Sequence, residues 1–144
     1  IYVDPHAARL VFDSGIPVTL IPLDCTHQAL TTATRVEAFR SMANRSGPAV
    51  AAMLDFFERF DENKYGTDGG PLHDPCVIAW LLKPELFKGR LVNVAVECES
   101  ELTMGATVID WWHVTKRPKN ATVIRDVDAD GFFRLLAERI GTLP

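Results

Sequence analysis

The residues best suited to chemistry stand together at Asp68-Gly69-Gly70-Pro71-Leu72-His73-Asp74-Pro75, where an imidazole adjoins a carboxylate at the junction of a glycine-rich loop and a helix start. An imidazole can deliver a proton near neutral pH, and a carboxylate, ionised at that pH, can bind a hard cation through oxygen. A plainer alternative stands beside this one: Asp74 only caps the helix and His73 is a loop residue. The run Tyr65 to Pro71 holds three glycines and a proline, so its backbone can take positive φ and approach a ligand closely. Just before it, Phe57, Asp61 and Tyr65 recur every four residues and line one helical face leading into the loop.

Other candidates carry less. His6, His27 and His113 are scattered, with no HExxH or paired spacing for zinc. Cys98 lies between Glu97 and Glu99, an acidic setting that disfavours a thiolate nucleophile. Trp111-Trp112 reads as a strand end packing on the closing helix, and Lys116-Arg117-Pro118-Lys119 as a solvated turn.

The elements that must position these residues follow from capping and periodicity. Asp4-Pro5 starts a short helix ending at Ser14-Gly15, with Ala7, Ala8, Leu10 and Val11 at helical spacing. Val18 to Leu23, bounded by Pro17 and interrupted by Pro22, predicts a strand buried on both faces. Helices are predicted over Thr31 to Asn44 and, from a start at Pro48, over Ala49 to Phe60. Asp74-Pro75 repeats the capped start for a helix stopped at Pro84. Leu91 to Glu97 and Gly105 to Trp111 read as a hairpin, Ala121 to Asp126 as a last strand, and Asp128 as the cap of a closing amphipathic helix.

The 144 residues, 24% charged and 47% hydrophobic, are enough for one globular domain with a core that needs no disulfide or structural metal. A net charge of -4 with dispersed basic residues argues against a nucleic-acid partner and for a small molecule. Three cysteines without CxxC spacing suit reduced thiols and a cytoplasmic location. No apolar run approaches the length of about 20 residues that spans a bilayer, and no basic-then-apolar signal segment opens the chain. The start at Ile1-Tyr2-Val3-Asp4-Pro5, without an initiator Met, predicts a fragment of a longer protein.

The run GGPLHDPCVIAWLLKPELF resembles the C-terminal signature of the inosine-uridine preferring nucleoside hydrolases, with LHDP its most specific part. The opening IYVDPHAARLVFDSGIPVTLIPLDCTHQALTT is similar to the segment that precedes it in that family, closest to pyrimidine-preferring members. VAVECESELTMGATVIDWW and ATVIRDVDADGFFRLLAERI resemble the family's last hairpin and helix, so the likeness spans residues 1–144 in order. It implies the C-terminal part of a single α/β domain whose mostly parallel sheet is flanked by helices, with the site at the carboxyl ends of the strands. It also implies hydrolysis of the N-glycosidic bond of ribonucleosides such as uridine or cytidine, a role in nucleoside salvage, and a homo-oligomer. In that family a calcium ion holds the ribose hydroxyls and the attacking water, and the bond breaks through an oxocarbenium-like state, which the resemblance implies here. On this resemblance His73 protonates or hydrogen-bonds the leaving base, and Asp74 is a calcium ligand. Tyr65 reaches the base, while Asp61 stands where many pyrimidine-preferring members carry an amide, which changes the hydrogen bonds offered to a uracil edge.

The family's aspartate-rich DxDxxxDD stretch is not in these residues, and its asparagine and glutamate ribose ligands would fall before Ile1. Calcium takes about six to eight oxygen ligands, so Asp74 alone cannot hold it, and the isolated chain is expected to be weak or inert. The alternative is a non-catalytic truncated pseudoenzyme or partner-binding module. A sheet lacking its first strands would expose an edge and an apolar face, which predicts self-association or a complementary chain.

Overall fold

The computed structural model describes residues 1–65 and 69–144, with side-chain packing for all of these except 58–65. Two compact units result, one from residues 1–20 and 89–124, the other from residues 21–88 and 125–144.

In the first unit, helix α1 (Pro5–Asp13) begins as its sequence dictates: Asp4 Oδ1 accepts the Ala7 amide at 2.9 Å and Pro5 takes the first turn. Its inner face differs from the expected one. Pro5 and Phe12 are buried, whereas Leu10 and Val11 are exposed at 72% and 48%. Phe12 and Ala8 pack on a cluster of Val92, Val94, Val96, Cys98, Ala121 and Val123 from the sheet. The sheet runs in the order β1-β4-β2-β3, from β1 (Val18–Leu20), β2 (Phe87–Val96), β3 (Thr107–Asp110) and β4 (Ala121–Val127). It is mixed: β1 is parallel to β4 through Val18↔Ala121 and Leu20↔Val123, and β2 is antiparallel to β3 through Asn93↔Asp110 and Val96↔Thr107. The α/β class therefore holds, with the antiparallel β2–β3 pair as the expected hairpin.

One local expectation is overturned here. β1 stops at Leu20 and is half-buried along its length, because Pro22 has no amide for a ladder and turns the chain into a short helix. β2 buries Val92, Asn93 and Val94 in succession, and Asn93 donates Nδ2 to the Pro118 carbonyl at 2.7 Å and so satisfies its amide out of water. Trp111 packs against the sheet cluster, and the Arg90 guanidinium lies 4.1 Å from its ring centroid and 5.0 Å from that of Trp112.

The second unit holds α2 (Leu23–Thr26), α3 (Ala33–Arg40), α4 (Ser46–Tyr65), α5 (Pro75–Leu82) and the closing α6 (Ala129–Gly141). α3 and α4 pack together, tied by Arg40 donating to both oxygens of Asp55 at 2.9 Å. α6 is capped by Asp128, whose Oδ1 accepts the Gly131 amide at 3.0 Å, and it buries Phe132, Phe133 and Leu135.

Gly89 of β2 approaches β4 so closely that a Cβ would meet the Val123 carbonyl oxygen at 2.3 Å and the Ile124 Cα at 2.9 Å. Backbone cannot yield as a side-chain tip can, so Gly89→Ala is expected to cost about 1–3 kcal/mol in urea unfolding. Gly141→Ala, where nothing lies within 4 Å, serves as the control with no loss.

Candidate active site

The candidate site belongs to the second unit and is built by a clasp. The isolated bridge Leu30↔Pro71 joins two segments far apart in sequence, with the Thr31 amide donating to Gly70 O at 2.9 Å and the Leu72 amide to Ala29 O at 2.9 Å. The buried Thr31 hydroxyl adds a third bond to Gly70 O at 2.8 Å. Gly69 makes the approach possible: its φ is +101°, and a Cβ there would stand 2.6 Å from Thr31 O. The glycine run thus takes the positive φ its composition predicts. Gly66, Thr67 and Asp68 lie outside the described residues, as do the side chains of Asp61 and Tyr65.

Past the clasp, His73 is half-buried and Asp74 exposed. His73 Nδ1 is hydrogen-bonded to the Thr26 hydroxyl at 2.8 Å, and Thr26, at the end of α2, is only 3% exposed. The neighbouring His27 ring lies 5.6 Å from the His73 ring, tilted by 48°. His27 is therefore not a scattered histidine, and Thr26 was missed altogether. Neither carried a local cue, since Thr26 belongs to no motif and His27 has no paired spacing. His6 and His113 stay exposed on other elements.

Asp74 occupies the cap position of α5 without capping. Its backbone is already helical (φ -63°, ψ -39°), and its carboxylate makes no cap hydrogen bond. This corrects the plainer expectation for Asp74 and leaves an exposed carboxylate one residue from His73. Among the described residues, no three His, Cys, Asp or Glu side chains are grouped to hold a metal, so Asp126, Asp128 and Asp130 form no such site. Asp74 by itself does not fit the six to eight oxygens that calcium takes.

The mixed sheet, the glycine clasp and the His-Asp pair opening a helix define an α/β fold of the nucleoside hydrolase kind. The family profile of the inosine-uridine preferring nucleoside hydrolases matches residues 1–134, and the chain belongs to that family. A Schizosaccharomyces pombe protein described only as uncharacterized is 54% identical over 144 residues, covering 100% of this chain and 46% of that protein. The pyrimidine-specific ribonucleoside hydrolase RihA of Salmonella gallinarum is 51% identical over 141 residues, covering 97% of this chain and 45% of the enzyme. The solved structure of a purine-preferring ribonucleoside hydrolase from Gardnerella vaginalis superposes with a TM-score of 0.82 at 33% identity, covering 95% of this chain and 43% of that one. The chain thus spans about half the length of the curated relatives it matches. No helix among the described residues is long and apolar enough to cross a membrane.

Two thiols of this unit, Cys25 and Cys76, are fully buried and form no disulfide, and Cys76 Sγ donates to the Leu72 carbonyl at 3.2 Å. Burial, reinforced by the charge of Asp126, pushes the Cys25 thiol up to about 11 from the ordinary 9.0. Burial, with a smaller contribution from Cys25, pushes Cys76 up to about 12. Both are protonated packing groups, not nucleophiles. A folded-state value above the unfolded one stabilises fully below pH 9.0, and that stability is lost as pH rises from there through about 11 and 12, because the unfolded thiols ionise first. The urea midpoint is expected to fall above about pH 9 with a shallower slope in Cys25→Ala, and a thiol reagent should label neither residue before unfolding. Fast labelling of the folded protein would count against this burial.

Proposed function

We propose that these residues belong to a ribonucleoside hydrolase that adds water across the C1′–N bond of its substrate, leaving hydroxyl on the ribose carbon and a proton on the departing base. The observation that carries the reading is a histidine fixed at a helix start beside an uncapped aspartate, in a chain matched by the family profile over residues 1–134. His73 meets the base as it leaves, by hydrogen bond or proton transfer, and Asp74 gives one carboxylate to a calcium site whose other ligands come from the part of the relatives that this chain does not span. Tyr65 and Asp61 contact the base edge. Uridine and cytidine are put ahead of purine nucleosides because identity is 51% to the enzyme named pyrimidine-specific and 33% to the one named purine-preferring. The setting is nucleoside salvage by a cytoplasmic homo-oligomer, within a single hydrolase domain of which residues 1–144 are the C-terminal part.

A second reading, a non-catalytic module that keeps the fold, is favoured by one observation: the described residues group no three metal-binding side chains. Turnover of uridine, cytidine and inosine by the full-length protein, with calcium present, separates the two. In that protein His73→Ala is expected to lower kcat by about 10²–10⁴-fold while sparing calcium affinity. Asp74→Ala should weaken both turnover and calcium binding. Wild-type rates in both variants, or no turnover of any nucleoside by the unaltered protein, would sink the hydrolase reading.

A further inference from the structure

Thr26 and His73 are separated by 47 positions in sequence, yet their polar atoms meet at 2.8 Å. Thr26 is 3% exposed, and among the described residues its hydroxyl makes this hydrogen bond alone. A buried hydroxyl proton left without an acceptor is costly, whereas an oxygen lone pair left without a donor costs less. If His73 donated from Nδ1, the Thr26 proton would be stranded inside the protein. If Thr26 donates, both demands are met, and Nδ1 is fixed as an acceptor. A neutral imidazole whose Nδ1 accepts carries its proton on Nε2.

We propose that Thr26 is a positioning residue that sets the tautomer of His73, holding a neutral ring with its proton on Nε2 as the atom offered to the departing base. The proposal rests on the reading of His73 given above and deepens it. The Nε2–H then donates a hydrogen bond to a base nitrogen as the C1′–N bond breaks, easing the charge that develops there while the ring stays neutral. The ring is also held in orientation, with the clasp at Leu30↔Pro71 fixing the backbone two residues before it and His27 packed against its side. Thr26, on α2, thereby acts on the reaction through another side chain, as orienting groups do for catalytic histidines elsewhere.

The test uses the full-length hydrolase. Nitrogen-15 NMR of its histidines is expected to show His73, assigned by its loss in His73→Ala, as the Nε2–H tautomer in the unaltered protein. Thr26→Val, which keeps the volume and removes the donor, should shift that signature and lower kcat by about 10- to 100-fold with KM changed less than about twofold. Thr26→Ser should restore both, and Thr26→Val combined with His73→Ala should be no slower than His73→Ala alone. An Nδ1–H tautomer in the unaltered protein, or a wild-type kcat in folded Thr26→Val, would overturn the proposal. Should Thr26→Val fail to fold, the tautomer of the unaltered protein decides. Full turnover in His73→Ala would instead overturn the role of His73, while the NMR result would still report on Thr26.

Discussion

The candidate site depends on one constraint: two strands of chain, residues 29–31 and 70–72, must lie close enough to exchange backbone hydrogen bonds across the excursion that carries α3 and α4. That closeness costs loop-closure entropy, which the backbone bonds at Thr31 and Leu72 and the Thr31 hydroxyl offset locally. It also forbids a side chain at position 69, where a Cβ would collide with the Thr31 carbonyl. Once the clasp closes, Leu72 is pinned, and His73 has few places to go except toward α2. There it meets the hydroxyl of Thr26 and the ring of His27. Loop, glycine and histidine are thus one device, and the helix that follows begins where the clasp ends.

Three aspartates precede helices in this chain, and they do not behave alike. Asp4 sits in an extended cap conformation (φ -149°, ψ 83°) and accepts the Ala7 amide, and Asp128 does the same for Gly131. Asp74, with the same following proline as Asp4, has helical backbone and makes no side-chain cap hydrogen bond. A missing cap costs a helix about 1 kcal/mol, so α5 gives up stability that α1 and α6 keep. Departures from a local rule concentrate at functional sites, and this one falls beside the half-buried histidine.

The same comparison shows what could be read from sequence and why. Caps, prolines and apolar periodicity are local signals, and they placed α1, α5, α6 and the β2–β3 hairpin near their observed bounds. They failed where tertiary structure decides. Asp4-Pro5 and Asp74-Pro75 are indistinguishable as dipeptides, and only the clasp distinguishes them. Phe12 in place of Leu10 and Val11 became the buried residue of α1 because the sheet cluster presents itself on that side. Histidine 73 was visible through its neighbours, but its partner 47 residues away had no pattern to announce it. Asn93 shows the converse case, a polar residue inside a strand that burial accepts because its amide finds the Pro118 carbonyl.

These features divide the chemistry of the candidate site into two parts of different self-sufficiency. Among the described residues, the clasp, Gly69, Thr26 and His27 all bear on the orientation of His73 and lie between residues 26 and 74 of one compact unit. A hydrogen bond to a leaving base depends on a single side chain and its orientation. Binding a hard cation is a collective property, and a lone exposed carboxylate offers two oxygens where about six to eight are required. Asp74 can therefore contribute to such a centre only through ligands supplied from residues other than those described, whereas His73 already has a partner in Thr26. On the proposed function, loss of Asp74 and loss of Thr26 would accordingly fail in different ways, the one in cation binding, the other in the hydrogen bond that His73 offers.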